Sequence, residues 1–223
     1  MKARQTGFTL VEIAIVLVII GLLLGGILKG QEMITQAKIK NVIADFSGVS
    51  AAYHGYQDRY RALPGDDLNA ATRWAVAPAA TSGNGNGVVA GAYNSATVTD
   101  ESRLWWDHLR RAGFISGNNT QQPFNALSGF IGIQTGDAAA STGPTLLNAA
   151  GGTGFVGLIM CSANLPDKIA IAVDTQMDDG ASRLGTVRGV LQSASNPPIG
   201  VALEAAANYE EAGTNLYTIC RAL

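Results

Sequence analysis

A single apolar run near the N-terminus constrains the fold more than any other feature. Residues 8–28 hold one charged side chain, Glu12, and basic residues stand on both sides, Lys2 and Arg4 before the run and Lys29 after it. About 20 apolar residues in a helix cross the roughly 30 Å hydrocarbon core of a bilayer, and basic residues ahead of a span favour a cytoplasmic N-terminus. The sequence therefore predicts a transmembrane helix over 8–28, with the rest of the chain exported.

Two simpler interpretations of this run fit less well. A removable secretory signal has an apolar region of about 7–15 residues followed by an A-x-A-like site, whereas the run at 8–28 is longer and no such site follows it. A plain one-pass anchor leaves Glu12 unexplained, because a carboxylate in an apolar span is costly unless it is paired. Glu12 therefore indicates a function in which its carboxylate is paired with another group.

The hexapeptide GFTLVE at residues 7–12, followed by the apolar run, resembles the processing site of type IV prepilins and of the pseudopilins of type II secretion. The resemblance implies that residues 1–7 are a leader, which a prepilin peptidase removes by cutting after Gly7, and that the new N-terminal Phe8 is methylated. It also implies that Glu12 sets the register of assembly. The Phe8 amine of one subunit would neutralise Glu12 of a neighbour, since opposite charges attract strongly at low dielectric.

The helix is predicted to continue beyond the membrane. Apolar residues recur at spacings of three and four from Ile39 to Tyr60, which indicates an amphipathic helix, and Pro64 disfavours helix at the residue before it. The sequence thus predicts an amphipathic half of the helix at 29–63 and an exported globular domain at 64–223.

Short apolar segments separated by turn residues indicate that the exported domain at 64–223 is α+β. A helix is predicted between Asp100 and Gly113, another behind Pro166 at its first position, and Asp66 is expected to cap a short helix. Residues 81–91 are rich in glycine and asparagine and predict a turn-rich loop. The predicted strands are 129–135, 154–161, 185–191 and 217–222. We expect a pilin-like layout, with the long N-terminal helix packed on a small antiparallel-sheet head domain.

The chain has two cysteines, Cys161 and Cys220, both in the predicted exported part. An oxidising compartment and an even count favour a disulfide, with two buried free thiols as the alternative. The resemblance points the same way, because many type IV pilins carry a disulfide near the C-terminus.

Catalytic and metal-binding patterns are sparse. His54 and His108 lack a nucleophile motif, so we expect no enzymatic activity and no cofactor. Some pseudopilins bind calcium near the C-terminus, which makes Asp174, Asp178 and Asp179 the candidate ligands here, although a turn also accounts for these residues.

The charge balance argues against a nucleic-acid partner. Fifteen basic and seventeen acidic residues give a net charge of −2, and three arginines near Trp105 and Trp106 provide little attraction for a polyanion. The resemblance implies a structural subunit of a type IV pilus-like filament. Its partners would be itself, other pilin subunits, the prepilin peptidase and an inner-membrane assembly platform. A minor pilin, a type II secretion pseudopilin, and a pilin-like adhesion or DNA-uptake module stay open as alternatives.

Overall fold

The computed structural model describes residues 9–136, 154–199 and 208–223. The chain divides into two compact units, residues 1–38 and 39–223. Apart from Thr9, helix α1 (Leu10–Tyr60) supplies the described part of the first unit, and it continues into the first residues of the second. A long N-terminal helix with a small antiparallel sheet confirms the predicted α+β, pilin-like fold.

The second unit begins at Ile39, within the segment predicted as the amphipathic half of the helix, because burial of one helix face begins there. The buried residues of this face are Ile39, Val42, Phe46, Val49, Ala52 and Tyr56. Their spacing of three and four residues matches the apolar stripe read from the sequence. The helix ends at Tyr60, before the predicted Leu63, and Arg61 follows with a positive φ of 54°.

In the part of the second unit that the structure describes, four antiparallel strands form one sheet. They are β1 (Ile131–Thr135), β2 (Leu158–Pro166), β3 (Val187–Leu191) and β4 (Leu216–Ala222). Their order is β1-β2-β4-β3, so the last strand in the sequence lies between β2 and β3. Strand β2 is displaced toward the C-terminus from its predicted position at 154–161.

The described residues of the second unit form three further helices. They are α2 (Ala70–Arg73), α3 (Glu101–Arg111) and α4 (Asp167–Met177). Helix α3 buries most of its length, including Trp105, Trp106 and Leu109, in one core with the buried face of α1 and side chains of the sheet. Burial of each large side chain of this kind contributes about 1.5–3 kcal/mol, so α3 is a main source of stability.

Two predicted helix starts are wrong in detail. Pro166 is the N-cap of α4 and not its first residue, because it also ends strand β2 with an extended ψ of 148°. Asp66 does not cap α2, whose N-cap is Asn69 without a side-chain hydrogen bond. The Asp66 carboxylate instead binds backbone N–H groups of residues 85–87, far along the chain.

Candidate functional site

The first turn of α1 is closed by three reciprocal hydrogen bonds between Thr9 and Glu12. The Thr9 backbone N–H and hydroxyl donate to Glu12 Oε2 at 2.8 and 2.9 Å, and the Glu12 backbone N–H donates to Thr9 Oγ1 at 3.3 Å. This arrangement is a capping box, in which Thr9 is the N-cap and Glu12 the third helical residue. Glu12 therefore has a local structural role within its own chain.

Sequence reasoning missed this role, although the signal was present. A Ser or Thr followed three residues later by Glu or Gln, just before an apolar run, marks a helix N-terminus, and Thr9 and Glu12 satisfy that pattern. Gly7 and Phe8, the residues of the expected cleavage and methylation, lie outside the described residues.

The helix that follows the capping box is long and apolar enough to cross a membrane. Its most apolar stretch of 18 residues has a mean hydropathy of 2.8, and none of that stretch is buried within the chain. Leu10 is 90% exposed and Leu22 73% exposed. A surface of this extent in water marks a site for lipid or for another protein.

A buried polar network holds the chain just after α1. The Tyr56 hydroxyl donates to Asp67 Oδ2 at 2.6 Å, Arg73 forms an ion pair with the same oxygen, and the Asn69 N–H donates to Asp67 Oδ1 at 2.8 Å. Burial alone would raise the pKa of Asp67, but hydrogen bonds from Tyr56 and Arg73 outweigh burial and hold it below its usual value. Arg73 also lies over the Tyr60 ring, 4.2 Å from its centroid.

His108 ties this segment to the loop that follows it. The Gly65 N–H donates to His108 Nδ1 at 2.9 Å, and Nε2 lies 2.8 Å from the Thr81 carbonyl oxygen, to which it donates in the neutral tautomer. The ring is fully buried, and burial lowers its pKa. This histidine is therefore a structural cross-link between two loop ends, whereas His54 is exposed on α1.

Two buried carboxylates organise residues 82–90, which we call the Asn-Gly loop. Asp66 Oδ1 accepts from Gly85 N at 2.6 Å and from Asn86 N at 3.2 Å, and Oδ2 accepts from Gly87 N at 2.7 Å. Glu101 Oε1 accepts from Asn84 N at 3.0 Å and Oε2 from Ala90 N at 2.9 Å. Backbone N–H groups within residues 82–90 are thus held by two carboxylates of the protein itself.

The calcium candidates Asp174, Asp178 and Asp179 come together at the end of α4, with one carboxylate oxygen of each within 4.8 Å of the others. The protein supplies donors to all three. Tyr209 donates to Asp174 at 2.5 Å, Val187 N to Asp178 at 2.9 Å, and Ala181 N to Asp179 at 2.9 Å. Burial first, and then the neighbouring acids, raise the pKa of Asp174 in spite of its hydrogen bonds.

The disulfide predicted between Cys161 and Cys220 is present. The two residues are direct partners in the antiparallel pairing of β2 and β4, and both are fully buried. The bond therefore joins the two central strands of the sheet across a sequence separation of 59 residues.

The arginines of α3 are engaged within the protein. Arg103 donates to the Ser95 and Thr120 carbonyls, Arg110 to three carbonyls of the loop after α3, and Arg111 to Asp107. The neighbouring tryptophans are buried. These side chains serve the fold, since stacking on a base requires an exposed aromatic face.

Comparison with known proteins identifies a family motif in the N-terminal segment. The family described as the prokaryotic N-terminal methylation motif matches residues 2–28. No curated protein and no solved structure matches the chain. The protein thus carries, at residues 2–28, the prepilin-type signal of type IV pilins and pseudopilins.

Proposed function

We propose that the protein is a structural subunit of a type IV pilus-like filament, cleaved after Gly7, methylated at Phe8 and assembled through helix α1. The observation that carries this proposal is the prepilin-type signal at residues 2–28, joined to an apolar helix whose side chains are uncovered. Each large apolar side chain gains about 1.5–3 kcal/mol on leaving water. The helix is therefore stable in a lipid bilayer or among α1 helices of other copies, and an assembling subunit uses both environments.

The capping box is compatible with a role of Glu12 both in the membrane and in the filament. Among the described residues, both hydrogen bonds to its carboxylate use Oε2, which leaves Oε1 open. A charged amine at Phe8 of a neighbouring subunit can bind that oxygen without breaking the box. The pair would fix the axial stagger of adjacent helices, because a charge in an apolar surrounding is costly unless it is paired.

In the proposed pathway the protein moves from the inner membrane to the filament. The precursor spans the inner membrane once through residues 8–28, with its C-terminal domain in the periplasm. A prepilin peptidase and an inner-membrane assembly platform are its processing and assembly partners, and the pilus or pseudopilus is its final location. The prepilin-type signal belongs to structural proteins and not to a family of enzymes, which supports a role without catalysis.

Intact mass and N-terminal sequencing of fibres sheared from the host cell test the proposal. We expect a chain that begins at N-methyl Phe8 and is two hydrogens lighter than the reduced formula, because of the disulfide. A Gly7→Leu variant is the matched control, since a bulky residue at the cleavage site should leave the leader attached and the fibres without this chain.

The abundance of the processed chain separates a main subunit from its alternatives. A chain that dominates the fibres is the main pilin. A processed chain that stays in the membrane fraction and is scarce in fibres is a minor pilin or a type II secretion pseudopilin. A wild-type chain that keeps Met1 in the host would refute the proposed processing and assembly.

A further inference from the structure

The Asn-Gly loop contains two sites of spontaneous chemical damage. Asn84-Gly85 and Asn86-Gly87 are both exposed. In an Asn-Gly pair the glycine backbone nitrogen can attack the asparagine Cγ, because glycine has no Cβ to shield it. A C–N bond forms, the side-chain amide leaves as ammonia, and water opens the resulting succinimide to aspartate or isoaspartate.

In the folded protein both attacking nitrogens are occupied by one side chain. The Gly85 N–H donates to Asp66 Oδ1 at 2.6 Å, and the Gly87 N–H donates to Asp66 Oδ2 at 2.7 Å. Asp66 is 4% exposed, so water competes little for its oxygens. We propose that Asp66 protects both Asn-Gly pairs from deamidation by holding the two glycine N–H groups away from succinimide formation.

The chemistry of the attack explains why these bonds protect. The glycine nitrogen must lose its proton and turn toward Cγ, and a hydrogen bond to a charged acceptor opposes both changes. The negative charge of Asp66 also disfavours an anionic amide beside it. The asparagine side chains are held as well, since Asn84 Oδ1 accepts from Asn86 N at 3.0 Å and Asn86 Oδ1 from Val88 N at 2.9 Å.

Damage at either position would spread through the loop. Deamidation adds a negative charge close to Asp66 and Glu101, and isoaspartate adds a methylene to the backbone that these two carboxylates bind. The protection is a property of residues 66 and 82–90, and it holds whether or not the chain assembles into filaments.

Asp66→Asn tests the proposal in the full-length chain. An amide has one acceptor oxygen where the carboxylate has two, so the N–H of Gly85 or of Gly87 loses its charged side-chain acceptor. The Gly85 N–H also donates to the Asp66 backbone carbonyl at 3.1 Å, and the substitution leaves that bond in place. The matched control is Glu101→Gln, which removes the same charge from the same loop but does not contact the N–H of Gly85 or Gly87. Both variants and the wild type are incubated at pH 7.4 and digested with trypsin after unfolding. The peptide 74–103 carries both Asn-Gly pairs, whereas residue 66 lies in the separate peptide 62–73.

We expect Asp66→Asn to deamidate at residues 84 or 86 at least about tenfold faster than the wild type, the factor for losing one hydrogen bond to a charged acceptor. Glu101→Gln should stay close to the wild-type rate. Equal rates in Asp66→Asn and wild type would overturn the proposal. So would equal acceleration in both variants, because that result assigns the effect to general loosening of the loop.

Hydrogen exchange on the wild type gives a second test that no variant can confound. The amide protons of Gly85 and Gly87 should exchange much more slowly in the folded chain than in the same chain unfolded in urea. Deamidation at Asn84 and Asn86 should also be slower in the folded chain than in the unfolded one. Exchange of both protons at the unfolded rate would contradict the role of Asp66.

Discussion

Removing the charge of Asp67 should destabilise the head strongly. The side chain is 1% exposed and accepts hydrogen bonds from Tyr56 and Arg73 on one oxygen. Asp67→Asn keeps the shape but weakens two hydrogen bonds to a charged acceptor, each worth about 1.5–3 kcal/mol. Arg73 is 25% exposed and regains some hydration, so we expect a total loss of about 3 kcal/mol, toward the lower end of what breaking a buried ion pair costs.

Thermal unfolding of the full-length chain in detergent, followed by circular dichroism, measures this loss. A loss of about 3 kcal/mol corresponds to a fall in Tm of about 6–12 °C for a chain of this size. Asp58→Asn is the matched control, because Asp58 pairs with Arg61 at 3.6 Å while both side chains are more than 80% exposed. Exposed pairs of this kind contribute little, so the control should unfold at the wild-type temperature.

The pH dependence checks the cause of the change. The pKa of Asp67 in the folded state lies below its ordinary value of 3.8, so its stabilising effect is complete above that pH. It is lost as the pH falls through the folded pKa, and the difference in Tm between wild type and Asp67→Asn should shrink in acid. A difference that persists unchanged at pH 2, or no difference at pH 7, would refute this account of the network.

Three further predictions concern other parts of the chain. Glu12→Gln keeps the capping box but removes the charge, whereas Thr9→Ala removes the box and keeps the charge. Electron microscopy should therefore show that filaments are lost in Glu12→Gln and retained in Thr9→Ala. The opposite pattern would assign Glu12 to capping alone. Burial lowers the pKa of His108 from 6.5, so stability in urea should fall as the pH drops below 6.5, and a His108→Gln variant should lack this step. Replacing Cys161 and Cys220 together by alanine should lower the free energy of unfolding by about 2–4 kcal/mol, and an unchanged urea midpoint would contradict a stabilising role for the disulfide.

Local patterns carried the parts of the fold that could be predicted. The apolar run, the stripe from Ile39 to Tyr60 and the helix near Trp105 repeat at helical spacing over many residues, so neighbours in the sequence suffice to recognise them. The predicted position of β2 lay too early in the sequence, because the apolar residues of this strand continue to Leu165, where pairing with β4 holds the chain extended. The strand order β1-β2-β4-β3 has no local signal, since it depends on which distant strands pair.

The roles of the acidic residues in the head could not be predicted in the same way. Asp66 stands before a short helix and looks like its cap, but its donors come from residues 85–87. Asp174 has its hydroxyl donor on Tyr209, 35 residues away. An isolated carboxylate in a sequence does not show which N–H or O–H group folding will bring to it.

The sequence by itself determined the prepilin-type signal, the membrane-length helix and the position of the cysteines, because each depends on residue identity over a short stretch. Tertiary structure alone decided that Asp66 binds the Asn-Gly loop and that His108 links Gly65 to Thr81. The physical reason is that a buried polar group needs a partner, and folding selects that partner from segments far apart in the chain.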